Sequence, residues 1–237
     1  MKGRRHERLW RLVVERAGRR TFSGWTGVVC DLVVEEVAVD AAALSVRASV
    51  RTQDLVAASD PWGRELEELQ FTLGEGPGAE AFAEGGPVLV SDLAEARNRW
   101  PAFTGSAEDS GLAAVFAFPL QSGAIRLGTL DLYCRRSGGL SSDGLSDALA
   151  FADLAMTALL ADLGGDEGAG APWARMEAPG HYDDVNMATG MLAAELRVSL
   201  DDAFMRLRAH AFSNDQPLLE VARAVLARQL SADSFQD

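Results

Sequence analysis

Residues 113–133, AAVFAFPLQSGAIRLGTLDLY, decide the fold class. Ala113–Leu120 and Ile125–Tyr133 read as two strong strands. Only Gln121–Ala124 joins them, and so short a connection predicts an antiparallel hairpin. Upstream, Gly85-Gly86-Pro87 turns the chain into a short strand at Val88–Val90. Ala43–Val50 alternates apolar and polar for much of its length, the mark of a half-buried strand, and Asp54–Ala58 is its hairpin partner across a turn near Arg51–Gln53. Helical spacing appears at Leu9, Leu12, Val13 and Ala17, and again from about Val28 to Val39. Pro61 opens a helix carrying Leu66, Leu69 and Phe71. Leu73–Gly78 breaks it, and a short helix follows through Ala79, Ala81 and Phe82. Asp92–Ser110 reads as a loop with a helix, anchored by Trp100 and Phe103. Ser141 or Ser142 caps a long helix over about Asp143–Leu163, with Leu145, Leu149, Ala152, Ala155, Met156 and Leu159 in register. Antiparallel strands with flanking helices describe an α+β domain.

The composition then changes. Gly164–Gly180 is rich in Gly, Ala and Pro without periodicity and reads as a linker. Three helices follow, making a small all-α module. The first, about Tyr182–Leu196, places Val185, Ala188, Leu192 and Leu196 on one stripe. The second starts at a capping-box-like Ser199-Leu200-Asp201-Asp202 and turns Leu200, Ala203, Phe204, Leu207 and Ala211 inward. The third begins at Pro217 and buries Leu218, Val221, Ala222 and Val225. The expected organisation is therefore 1–163, a linker at 164–180, and 181–237. A bundle of about fifty residues buries little by itself, so dimerisation would help it cover its faces.

The formal net charge of −13 argues against non-specific nucleic-acid binding, because the overall field repels phosphate. The first twenty residues run against this trend: Lys2, Arg4, Arg5, Arg8, Arg11, Arg16, Arg19 and Arg20 face only Glu7 and Glu15. Such a segment is either a solvated helix or a contact for an acidic partner. Cys30 and Cys134 are far apart in apolar settings and read as reduced thiols. No apolar h-region follows the basic start, and no apolar run suggests a membrane span, so the cytoplasm is the expected location.

Five ordered motifs carry a resemblance: Leu73–Gly78 (LGEGPG), Val88–Leu93 (VLVSDL), Arg99–Phe103 (RWPAF), Val115–Leu120 (VFAFPL) and Leu127–Tyr133 (LGTLDLY). In order and spacing they resemble actinobacterial GAF domains, over roughly Arg8–Leu163. That resemblance implies a sensor whose pocket lies between the sheet and its covering helices, for a small-molecule ligand of unknown identity. Trp100, Phe103, Phe116, Phe118 and Asp131 are its candidate lining. Each has a plainer alternative: the aromatics as core, Asp131 as an outward residue of the alternating strand. Gly74, Gly76 and Gly78 lack the Lys-Ser/Thr of a phosphate loop and contain Glu75, so a turn is the better reading.

A second ordered set lies in the helical module: Ala188-Thr189-Gly190-Met191-Leu192, Ser199–Phe204, Leu207–Ala211 and Leu218–Ala222. It is similar to ANTAR domains, and GAF followed by ANTAR is a recurring arrangement. The resemblance implies a homodimer that binds tandem RNA hairpins and prevents transcription termination. Arg208 is the foremost RNA candidate, since a guanidinium grips phosphate or stacks on a base. Arg206, His210, Thr189, Gly190 and Asn214 are expected to share its surface. Against this, Arg208 has Asp201 and Asp202 nearby to pair with, and Gly190 and Ala203 suit close helix packing. The module is also acidic: within 181–237, Arg197, Arg206, Arg208, Arg223 and Arg228 are outnumbered by Asp183, Asp184, Glu195, Asp201, Asp202, Asp215, Glu220, Asp233 and Asp237. RNA binding would rely on a focused arginine patch, a dimer or the basic N-terminus. A helical tail that docks a protein partner without RNA is the alternative.

Catalysis finds little support. His6, His181 and His210 are the only histidines, and none stands in a triad or zinc pattern. GAF-like sulfoxide reductases depend on clustered cysteines, which Cys30 and Cys134 do not match. No cofactor or metal is expected.

Overall fold

The computed structural model describes residues 2–17, 24–47, 53–123, 125–164 and 182–235. In chain order the elements are α1 (Lys2–Ala17), α2 (Trp25–Val37), β1 (Ala41–Arg47), β2 (Gln53–Ala58), α3 (Pro61–Leu73), α4 (Pro77–Glu84), β3 (Val88–Val90), α5 (Pro101–Asp109), β4 (Ala114–Ser122), β5 (Ile125–Cys134), α6 (Ser142–Gly164), α7 (Asp183–Leu196), α8 (Leu200–Ser213) and α9 (Leu218–Leu226). Short 3-10 turns occupy Leu93–Ala96 and Ala232–Phe235. The turn expected near Arg51–Gln53 and the linker lie almost wholly outside the described residues.

The strands form one antiparallel sheet in the order β2-β1-β5-β4-β3. Period-two alternation sends neighbouring side chains to opposite faces. On one face Leu44, Phe116, Phe118, Leu120, Leu130 and Leu132 pack against α2 and α6, with Leu9 and Val13 of α1 closing the layer. On the other, Val115, Ala117 and Tyr133 meet Leu66 and Phe71 of α3 and Phe103 of α5, and that core continues into α7, α8 and α9.

Local chemistry fixes the ends. The Asp60 side chain caps α3 by accepting from the Gly63 N–H at 2.7 Å, with Pro61 in the first turn. Glu75 of the LGEGPG stretch accepts from the N–H groups of Ala102 and Phe103 at 2.7 and 2.9 Å, capping α5 from a distance. At the start of α8, Ser199 Oγ accepts from the Asp202 N–H at 3.1 Å and donates to the Asp202 carboxylate at 2.7 Å. The expected capping pair thus forms, with its aspartate turned to the hydroxyl rather than to the backbone.

Two expected core positions are exposed. Leu200 is 62% exposed, being the first residue of α8, and Leu149 is 43% exposed. Ala148, Phe151, Ala155 and Ala158 set the buried stripe of α6, and Leu149 stands one residue, about 100°, off it. The apolar run Ser142–Asp162 of α6 has the length and hydropathy of a membrane span, contrary to expectation, but 61% of its most apolar window is buried in the fold. Among the described residues no other helix meets that test. Both cysteines are free; Cys30 is sealed, whereas Cys134 is only half-buried.

Candidate functional site

Between β5 and α3 lies a buried polar network. Glu67 is fully buried, and one oxygen accepts from Arg47 Nη2 at 3.3 Å and Gln53 Nε2 at 2.5 Å. Its other oxygen accepts from the Tyr133 hydroxyl at 2.8 Å and Gln70 Nε2 at 3.1 Å. The same Gln70 amide reaches Asp131 at 2.7 Å, and its oxygen accepts from the Gly78 N–H at 2.8 Å. Asp131 therefore points inward and is fully buried, so the outward alternative fails. Burial, reinforced by the neighbouring Glu67 carboxylate, holds Asp131 well above the usual carboxylate range. Burial likewise raises the Tyr133 phenol. Asp131 Oδ1, Gln53 Oε1 and Arg47 Nε find no partner among the described residues. The network thus offers donors and acceptors to a small polar molecule, but the chain itself fills the space: a Cβ at Gly78 would stand 2.2 Å from an Asp131 oxygen.

The candidate pocket residues divide. Trp100 and Phe103 are buried on the same side of the sheet as Asp131, with ring centroids 6.4 Å apart. Phe116 and Phe118 pack under α2 and α6 on the opposite face and share no wall with Asp131. Strand alternation explains the split: Phe116 pairs with Leu132 and Phe118 with Leu130, both on the apolar face, while Asp131 lies opposite Ala117. The glycine-rich stretch makes a turn, as expected, with Gly74 ending α3 in the left-handed region and Gly76 opening α4.

The candidate RNA residues divide as well. Arg206 and His210, one turn apart, gather at Phe235, with Arg206 Nη1 donating to its carbonyl at 2.5 Å and the His210 ring 4.7 Å from its ring. Asn214 continues that stripe, donating to the His210 carbonyl at 2.8 Å. Residues two apart on a helix do not share a face, and Arg208 points elsewhere. It pairs with neither Asp201 nor Asp202: Nη2 donates to the Phe71 carbonyl of α3 at 2.6 Å, and the guanidinium lies 4.4 Å over the Phe204 ring. Thr189 is buried and donates back to the Val185 carbonyl at 2.7 Å. A Cβ on Gly190 would meet nothing within 4 Å, so close packing is not its reason, whereas Ala203 is fully buried. Three arginines of the basic start are paired: Arg5 with Asp143 and Asp147, Arg8 with Glu36 and Asp147, and Arg16 with Glu35.

Sequence reasoning missed Glu67, Gln70 and Tyr182. Tyr182 stacks on Phe71 with centroids 4.1 Å apart, and its N–H donates to Asp54 at 3.3 Å. The signal was faint: Glu67 and Gln70 are two polar residues three apart on a helix, which also describes a solvated face.

An antiparallel sheet with a buried polar network on one face, joined to a helical bundle that packs against that face, defines an α+β domain followed by a helical module. A GAF domain model matches residues 26–160 and an ANTAR domain model matches residues 177–226. The chain belongs to the GAF domain family and carries an ANTAR domain after it. GAF domains bind small ligands and ANTAR domains bind RNA, and the two together mark the chain as a signal-responsive regulator. Among solved structures, the GAF domain of a phosphoenolpyruvate-protein phosphotransferase from Coxiella burnetii is similar at 15% identity and a TM-score of 0.51, covering 65% of this chain and 92% of that one. The GAF domain of the Acinetobacter phosphoenolpyruvate-protein phosphotransferase aligns at 12% identity and a TM-score of 0.49, over 68% and 95%. Such identities speak for the fold alone. No curated protein matches the chain.

Proposed function

We propose that this chain is a transcription antitermination regulator, in which residues 1–163 sense a signal and residues 181–237 bind tandem RNA hairpins as a homodimer, acting by binding and not by catalysis. The ANTAR match over 177–226, coinciding with the compact bundle of α7, α8 and α9, carries the reading. The buried network around Glu67, Gln70 and Asp131 supports a small polar molecule as the signal, since it has unused donor and acceptor capacity. Full-length protein titrated with tandem-hairpin RNA at increasing salt tests the proposal. Affinity should fall linearly on a log–log plot, and Arg206→Ala should lower the slope. Absence of binding at low salt by dimeric protein would sink it. The acidic balance of 181–237 favours a second reading, in which the module docks a protein partner; a defined partner bound with no RNA affinity would select it.

A further inference from the structure

Arg208 ties the helical module to the sensor domain. The last turn of a helix leaves carbonyls without intrahelical partners, and Phe71 lies in the last turn of α3. Arg208 fills that role by donating to the Phe71 carbonyl, while its guanidinium lies 5.6 Å from the Phe71 ring as well as over Phe204. Gly74 makes the seat. It ends α3 at φ 72°, a left-handed conformation that suits glycine, and a Cβ there would stand 2.3 Å from Arg208 Nη1. Burial, with Arg47 adding to it, pushes the guanidinium down to about 10, so it keeps its charge at neutral pH. Around the seat, Phe71 meets both Tyr182 and Phe204, and one apolar core runs from the sheet through α3 into the bundle.

We propose that this contact is an autoinhibitory latch, in which Arg208 and the α8 face around it are committed to α3 and become available to RNA only when the module undocks. The inference rests on the RNA-binding reading above. The surroundings of the seam support it. A cleft of about 480 Å3 runs along the docked elements, and Glu65, Glu68, Asp109 and Asp215 line it. Phosphate brought to α8 in the docked state meets these acids. The route for a signal is also built in. Glu67 and Gln70 hold the buried network, and Phe71 and Gly74 hold Arg208, all within two turns of one helix end. A polar ligand that takes Gln70 away from Asp131 and Gly78 acts on the last turn of α3, one residue before the Phe71 carbonyl that seats Arg208.

The test uses full-length protein and two substitutions on the sensor side, which leave the module's own residues unchanged. Gly74→Ala crowds the guanidinium, and Leu69→Glu places a charge in the seam. Amide hydrogen exchange reads docking at α8 and fold integrity at β4 and β5. Tandem-hairpin RNA binding at fixed low salt reads the latch. Opening should speed exchange in α8, leave β4 and β5 protected, and tighten RNA binding by roughly ten- to a hundredfold, because apparent affinity scales with the open fraction. If Gly74→Ala strains the turn enough to expose β4 and β5, Leu69→Glu carries the comparison. Faster α8 exchange with RNA affinity equal to that of the unmodified chain overturns the latch and leaves the RNA reading standing. Unchanged α8 exchange in both variants overturns it too. If opened variants and unmodified chain alike bind no RNA, the RNA reading itself falls, and the latch falls with it.

Discussion

On one face of the sheet, Phe116, Phe118, Leu130 and Leu132 meet α2 and α6 through apolar side chains. On the other, Arg47, Glu67, Gln70, Asp131 and Tyr133 share a buried space between β5 and α3. The first arrangement draws stability from area removed from water and from close packing. The second takes charges out of water, a cost that their mutual contacts only partly offset. A protein that needed only a stable sheet would have made both faces alike. The polar face is also the one onto which the helical module docks, so the network lies where a change in it reaches α7 and α8.

Two truncations should separate the faces most sharply. Phe118→Ala removes a fully buried ring, and a loss of about 4 kcal/mol is expected in urea denaturation. Exchange at α8 should change only in step with global stability, because Phe118 belongs to the other core. Glu67→Ala strips Arg47 of its buried partner and should cost about 3 kcal/mol. It should also speed exchange at the end of α3 and in α8 beyond that global loss. If Phe118→Ala loosens α8 as selectively as Glu67→Ala does, the division of labour between the faces is wrong.

Acid–base behaviour gives a smaller effect with a definite sign. Burial and Glu67 raise Asp131 in the folded protein, whereas the unfolded chain keeps an ordinary carboxyl. Between the two values the folded state holds the extra proton, so stability falls as pH rises from the ordinary carboxyl range through the raised one, then levels. Asp131→Asn imitates the protonated acid and removes that fall. It should be more stable than the unmodified chain near neutral pH by on the order of 1 kcal/mol. The difference should shrink toward pH ~4. Paired denaturation curves at acidic and neutral pH measure it. A gap that widens on acidification would mean that Asp131 is held as a carboxylate.

The apolar face was legible in the sequence because its signals are local. The apolar strand runs Ala113–Leu120 and Ile125–Tyr133, the short connection between them, and the helical spacing of Leu9 and Val13 and of Val28–Val39 each act within a few residues. The polar face was not, because its parts come from β1, β2, α3 and β5, and each looks ordinary alone. Glu67 and Gln70 resemble a solvated helix face until β5 covers them. Alternation could have warned that Phe116 and Asp131 lie on opposite faces, since the hairpin register pairs Phe116 with Leu132. Arg208 was recognised as important from its motif, but its partner is 137 positions away on α3. Likewise, the partners of Arg5, Arg8 and Arg16 in the basic N-terminus, among them Glu36, Asp143 and Asp147, are distant in sequence, so no local reading shows those pairings.

The smallest test concerns a pair at the edge of the polar face. Ser45 and Thr129 are register partners on β1 and β5, both buried, with their hydroxyls 3.2 Å apart. A neutral hydrogen bond of this kind adds little net stability, but a buried hydroxyl left without a partner costs more. Thr129→Val alone should therefore lower stability by about 1 kcal/mol, and Ser45→Ala alone by a similar amount. The double variant should recover most of that loss, because neither hydroxyl is left behind. The coupling in this double-mutant cycle measures how strictly the polar face demands pairing. Additive losses would mean that the two hydroxyls act independently, and the contrast with the apolar face would then rest on the charged groups alone.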